Sequence, residues 1–218
     1  MKIGIYTGTI PPPVFIENLM NGLAEKGDKV FVYGKPIGRN YQFLSSGIIQ
    51  RKFPATKVGI LLKPIYLFLM LFISQPHLCL TLGKQVWQNS KSWIQYLHRL
   101  CRIFPPILDN LDILHIQWAK MLVEYPEFVE GFNCPIVLSL RGTHINVSPV
   151  INEKLAILYR KYFPKLNGFH AVSQAILNKA EKYYADINKV SVIRPAVNEK
   201  LLNYKADKVN NLDSDILH

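Results

Sequence analysis

The residues best suited to chemistry gather where apolar runs give way to polar ones. The densest group is Ser139-Leu140-Arg141-Gly142-Thr143-His144-Ile145-Asn146, directly after the apolar run 135–140. An Arg, a Gly and a His in sequence there serve no evident packing purpose. A guanidinium suits the fixing of an anion, and an imidazole suits the movement of a proton near neutral pH. Arg141 and His144 are therefore the candidate catalytic pair. Around them stand candidate substrate-binding residues at the ends of other apolar runs: Gly8 and Thr9, His115 and Gln117, Ser173, and Arg194 with Asn198. Each also has a structural reading. Gly8 permits a turn, and without a full Gly-x-Gly-x-x-Gly pattern it is a weak phosphate signal that does not support dinucleotide binding. His115 alternates with Ile113 in a strand, as a satisfied core histidine does. Ser173 stands where a helix N-cap is needed.

The elements that must position these groups follow from periodicity. Strands are expected at Lys2 to Thr7, Lys29 to Tyr33, Ser46 to Phe53, Asp112 to Trp118, Pro135 to Leu140, Gly168 to Val172 and Lys189 to Ile193. Helical spacing occupies the intervals: Phe15 to Leu23 up to a stop at Gly27, then 59–73, 84–103, 121–131, 151–163 and 174–184. Strands alternating with helices predict a doubly wound α/β domain, Rossmann-like, with a mostly parallel sheet. In such a sheet ligands sit at the carboxyl ends of the strands, which is why the residues above are the ones selected. The domain spans about 1–200, and 201–218 reads as a polar linker.

Charge is unevenly placed. The chain has 218 residues with 26 Lys+Arg against 15 Asp+Glu, a net charge of +11. No acidic residue lies between Asp28 and Asp109, a stretch that holds eleven basic ones, and the remainder of the chain is balanced. There is neither aromatic interleaving nor a reading motif of the kind nucleic-acid binders carry, so no nucleic-acid partner is expected. A block both basic and apolar, with 65–73 at its centre, fits an anionic membrane surface; a buried helix with a solvated basic flank fits it too. The run is cut by Lys63-Pro64 and falls short of the roughly 20 residues a bilayer span requires. The three cysteines, Cys79, Cys101 and Cys134, form no close pair, which excludes a disulfide framework and a thiolate zinc site. With no signal-like leader in the first residues, the expected place is the cytoplasm, peripheral to the inner face of a membrane. The sequon at Asn146 is accordingly discounted.

At this point a resemblance becomes specific. The ordered blocks MKIGIYTGTIPPPVF, DILHIQWA, PIVLSLRGTHIN and HAVSQAI followed by KVSVIRPAVN resemble the N-terminal half of the family 4 retaining glycosyltransferases, over about residues 1–200. The resemblance implies a GT-B fold of two Rossmann-like domains, of which this is the acceptor-binding one. The acceptor would be a sugar or lipid-linked sugar. A nucleotide-sugar would serve as cosubstrate, with no metal and no other cofactor. The donor domain, marked in the family by two Glu separated by seven residues, is not in these residues, so a separate donor-binding chain is an expected partner and the chain alone is expected to be inactive. Glu17 falls where the family has a Glu, and is added to the substrate-binding set. Two departures stand out: Pro11-Pro12-Pro13-Val14 replaces a common Gly-Gly pair, and Arg141-Gly142 replaces a His-Gly pair. A guanidinium stays protonated, so Arg141 does not duplicate a histidine as proton acceptor. The alternative function is a noncatalytic module that binds a glycan or glycolipid at a membrane surface.

Overall fold

The computed structural model describes residues 1–38 and 41–194; Asn198 and the linker reading of 201–218 lie outside the described residues. Seven strands form one parallel sheet: β1 (Lys2–Ile10), β2 (Lys29–Pro36), β3 (Ile48–Lys52), β4 (Ile113–Ile116), β5 (Ile136–Leu140), β6 (Gly168–Ala171) and β7 (Val190–Val192). Their order is β3-β2-β1-β4-β5-β6-β7, so the direction of winding reverses between β1 and β4. This is the Rossmann-like α/β sheet that the alternating pattern predicts.

The two faces are covered unequally. On one lies a single helix, α1 (Val14–Glu25), whose Ile16 and Met20 pack with Ile3, Ile5, Val30 and Val32. Pro13 opens it, its carbonyl accepting from the Ile16 N–H at 2.9 Å, and Gly27 ends it at φ +88°, where glycine costs least. The other face buries the larger core beneath α2 (Lys57–Ser74), α3 (Pro76–Gln88), α4 (Trp93–Leu108), α5 (Ala119–Glu124), α6 (Glu127–Gly131), α7 (Gly142–Asn146), α8 (Ser148–Ile151), α9 (Glu153–Tyr162) and α10 (Gln174–Ala180). Among the described residues no helix covers the first face over β5 to β7.

Several elements differ from the periodicity. The expected helix 84–103 is two helices, broken at Asn89 to Ser92, because the Ser92 hydroxyl caps α4 by accepting from the Gln95 N–H at 3.3 Å. The reading of 121–131 as one helix fails at Tyr125-Pro126, since a residue before proline is pushed out of the helical region. Conversely, Lys63-Pro64 does not cut α2. Pro64 lies within the helix on the buried stripe that continues through Leu67 and Leu71, which packs on α4. The residues after β5, left outside the expected strands and helices, form the short helix α7.

Two members of the basic stretch are paired with carboxylates, and one of them is internal. Arg99 of α4 pairs with Glu127 of α6 at 2.6 Å, both side chains nearly inaccessible. Asn89 donates to the same carboxylate at 2.9 Å, and Arg99 Nη1 donates to the Glu124 carbonyl at 2.7 Å. Arg51 chelates Asp109, which also accepts from the Tyr33 hydroxyl at 2.7 Å. Removing one partner of a buried pair strands the other charge, so Glu127→Gln should cost about 3–5 kcal/mol. In urea unfolding, the double variant Arg99→Met/Glu127→Leu should regain most of that loss, because it leaves no uncompensated charge.

Candidate functional site

The winding reversal opens a crevice between β1 and β4 at their carboxyl ends. A bulge in β1 shapes its rim. The pairing with β2 shifts register between Tyr6 and Gly8, and the Thr7 hydroxyl fills the kink by donating to the carbonyls of Thr9 at 2.7 Å and Tyr33 at 3.1 Å. Trp118, just past β4, ties the two strands by donating its indole N–H to the Thr7 carbonyl at 3.0 Å. Gly8 has φ +81°, and a Cβ there would stand 1.9 Å from the Met121 methyl. Gly34 is equally obliged, since a Cβ would meet the Thr9 backbone at 2.6 Å.

The crevice has two adjoining lobes that share Gly8, Thr9, Met121 and Glu124. One, of about 480 Å³, is bounded by Lys35, Phe53, Arg102 and Tyr125. The other, of about 380 Å³, is bounded by Pro13, Trp118, Lys120 and His144. Three cations, one carboxylate and one imidazole thus surround a space floored by strand backbone. Burial, and then the Lys120 charge, hold His144 below its ordinary pKa, so its ring is neutral at pH 7 and acts both as donor and as acceptor. Its Nδ1 is buried without a partner. Such a set suits a hydroxyl-rich ligand that carries negative charge.

A second cavity, also of about 480 Å³, lies on the uncovered sheet face. Phe15 and Leu19 of α1 form one wall, and His115, Val137 and His170 the floor. A hydrogen-bonded row crosses it: His115 Nε2 to the Ser139 hydroxyl at 2.9 Å, that hydroxyl to His170 Nδ1 at 3.0 Å, and His170 Nε2 to the Ile193 carbonyl at 3.0 Å. Burial, with the charges of His170 and Arg141 adding, pushes His115 down to about 3. Arg141 sits at the cavity's edge, its guanidinium 4.5 Å from the Phe15 ring centre and 5.8 Å from that of Trp118. Its Nη2 donates to Gln117 Oε1 at 2.9 Å and its Nε is buried without a partner. Burial lowers it to about 10, and among the described residues no carboxylate pairs with it.

The structure therefore divides the residues selected from sequence. Gly8, Thr9 and His144 line the crevice, whereas His115, Arg141 and Arg194 line the sheet-face cavity. Arg141 and His144 part because Arg141 is the extended residue preceding α7 and His144 lies within it; the Trp118 ring stands between them, 5.5 Å from the imidazole. Gln117 is wholly buried and orients Arg141. Ser173 caps α10, accepting from the Ile176 N–H at 3.3 Å, and Glu17 accepts from the Tyr41 hydroxyl; neither lines these two cavities. The reading from sequence missed Lys35, Arg102, Lys120 and Glu124. Lys35 ends the second strand, where the strand-end rule would have found it. Lys120 and Glu124 are one turn apart on the helix that follows β4, a weaker signal. Arg102 has no local signal at all, because it arrives from α4 across the core.

No protein-family model matches the sequence, and no curated protein matches it. Solved structures do. Sucrose-phosphate synthase from Thermosynechococcus elongatus superimposes over 92% of this chain with a TM-score of 0.56 and 11% identity. HepE from Anabaena, in complex with UDP and glucose, does so over 92% with a TM-score of 0.51 and 14% identity. What is shared is the fold. These neighbours are GT-B glycosyltransferases, and this chain has their Rossmann-like α/β architecture. It spans 49% of the first neighbour's length and 46% of the second's.

Two outcomes test this geometry. Gly8→Ala should lose about 1–2 kcal/mol to the left-handed backbone, plus the cost of displacing Met121; adding Met121→Ala should return only the second part, read from urea midpoints. His115 binds a proton in the unfolded chain below about 6.5 but in the native one only near 3, so stability falls as pH drops through that window. His115→Asn should flatten the acid limb of a stability profile taken between pH 7 and 4, even if it lowers the profile as a whole.

Proposed function

We propose that this domain is the acceptor-binding half of a retaining glycosyltransferase of the GT-B type, acting in the cytoplasm on a sugar or lipid-linked sugar. The carrying observation is the fold shared with two GT-B enzymes over 92% of the chain, together with a crevice at the winding reversal. In this reading the acceptor lies in the crevice, with Thr9 at the strand end. Neutral His144 hydrogen-bonds the acceptor hydroxyl and carries its proton, while Lys35, Arg102 and Lys120 hold acidic or phosphorylated parts of the acceptor. Arg141 supplies its anion contact from the sheet-face cavity, and Gln117 holds the guanidinium in place. A nucleotide-sugar is the cosubstrate, bound by a donor domain on a further segment or a separate chain, with no metal required. Much of the rate in such chemistry comes from holding two reactants together, so this domain without a donor domain gives no transfer.

A noncatalytic glycan or glycolipid module is the second reading, since the same polar crevice would hold a glycan without transferring to it. Titration calorimetry of the whole chain with a panel of free and lipid-linked oligosaccharides, and separately with UDP-glucose, tests the acceptor reading. An acceptor from the panel should bind, and His144→Ala should weaken it about tenfold, ~1.4 kcal/mol, with an unchanged melting temperature. Binding of the nucleotide-sugar in preference to every glycan would overturn it. Turnover on addition of a donor domain separates the transferase from the binding module.

A further inference from the structure

The outward side of α2 is apolar along its whole length. Leu61, Leu62, Ile65, Leu69, Phe72 and Ile73 recur at helical spacing and are between 43% and 80% exposed. A surface helix of a soluble domain ordinarily turns charge to that side. At 18 residues, or ~27 Å, the helix is long and apolar enough to cross a bilayer by length and composition. Yet Leu67 and Leu71 are buried against α4, so α2 is held along the surface of the domain. Beside it stands an aromatic group: Trp87, 53% exposed, and Trp93, 57% exposed, packed around Tyr96. The two sets adjoin, since the Phe68 ring of α2 and the Tyr96 hydroxyl both stand 3.6 Å from the Cβ position of Gly83 on α3.

We infer that the outward face of α2, with Trp87 and Trp93 beside it, is a docking surface for an anionic lipid bilayer. Charge decides the occupant. Lys57 of α2, Lys84 of α3 and Lys91 between α3 and α4 are exposed, and no acidic residue occurs in the sequence between Asp28 and Asp109. A second copy laid face to face would bring these lysines together with no carboxylate to pair them. An anionic lipid surface offers the missing charge and an apolar interior for the leucines, while tryptophan favours the boundary between the two. The helix then lies in the plane of the interface. This surface stands apart from the crevice, and the inference holds whether or not the domain serves glycosyl transfer.

The test is flotation of the whole chain with vesicles of phosphatidylcholine, with and without phosphatidylglycerol, in the absence of sugars and donor; its failure would leave the acceptor reading untouched, and the reverse. Binding should require phosphatidylglycerol and weaken as salt is raised. Lys57→Glu/Lys84→Glu/Lys91→Glu and Leu61→Gln/Ile65→Gln/Leu69→Gln should each lower the affinity at least about tenfold with an unchanged melting temperature. Quenching of Trp87 and Trp93 by spin-labelled lipid, resolved with Trp87→Phe and Trp93→Phe, gives a second reading that holds if the apolar variant fails to fold. No vesicle binding, or binding that leaves these tryptophans unquenched, overturns the inference. So does a lipid-free dimer that the Leu61/Ile65/Leu69 substitutions dissolve, which would assign the face to a second copy.

Discussion

The buried pair Arg99–Glu127 constrains more of this molecule than any other contact. Two charges removed from water must find each other and further hydrogen-bond partners, and here Asn89 and the Glu124 carbonyl supply them, with only the Arg99 Nε left unpartnered. The pair fixes α4 against the corner between α5 and α6. That corner carries Met121, Glu124 and Tyr125, which wall the crevice, and α4 also delivers Arg102 to it. On its other side α4 is the platform on which α2 lies. One ion pair thus sets both the width of the candidate binding site and the seat of the apolar outer helix.

The polar groups inside the sheet are ordered differently on its two sides. The large core is apolar, and its strand residues Leu114, Ile116, Leu138 and Leu140 are fully buried. The opposite face of the same strands carries His115, Gln117, Ser139 and Arg141, joined by hydrogen bonds into one connected set. Gln117 is the junction: its side-chain oxygen accepts from Arg141 and faces the Ser139 hydroxyl at 3.5 Å. The Trp118 ring, near both Arg141 and His144, places the end of this set beside the crevice.

How much of this was legible in the sequence depends on the distance over which each signal acts. Strand positions were legible because apolar runs bounded by polar residues are local, and all seven strands stand within a few residues of where alternation puts them. Helix breaks at Ser92 and Pro126 were less so, since amphipathic spacing continues across them. Gly8, Thr9 and His144 were found from their places at strand ends. Their separation from Arg141 was not, because it depends on a change of backbone conformation within three residues. In the sequence Arg99 is simply one of the eleven basic residues between Asp28 and Asp109, and only the approach of Glu127 in the fold shows it to be internal.

The bulge in β1 sets a rule about length rather than composition. Before it, Tyr6 points into the large core; after it, Ile10, of the same parity, packs with Ile3 and Ile5 on the opposite face. The single extra residue reverses the alternation, and in doing so keeps an isoleucine out of the crevice. Drift in this segment is therefore free to exchange side chains but not to gain or lose a residue. One deletion between Tyr6 and Ile10 would turn Ile10 toward the crevice and empty its place beneath α1, so across descendants of this chain the interval should hold its length more strictly than its letters.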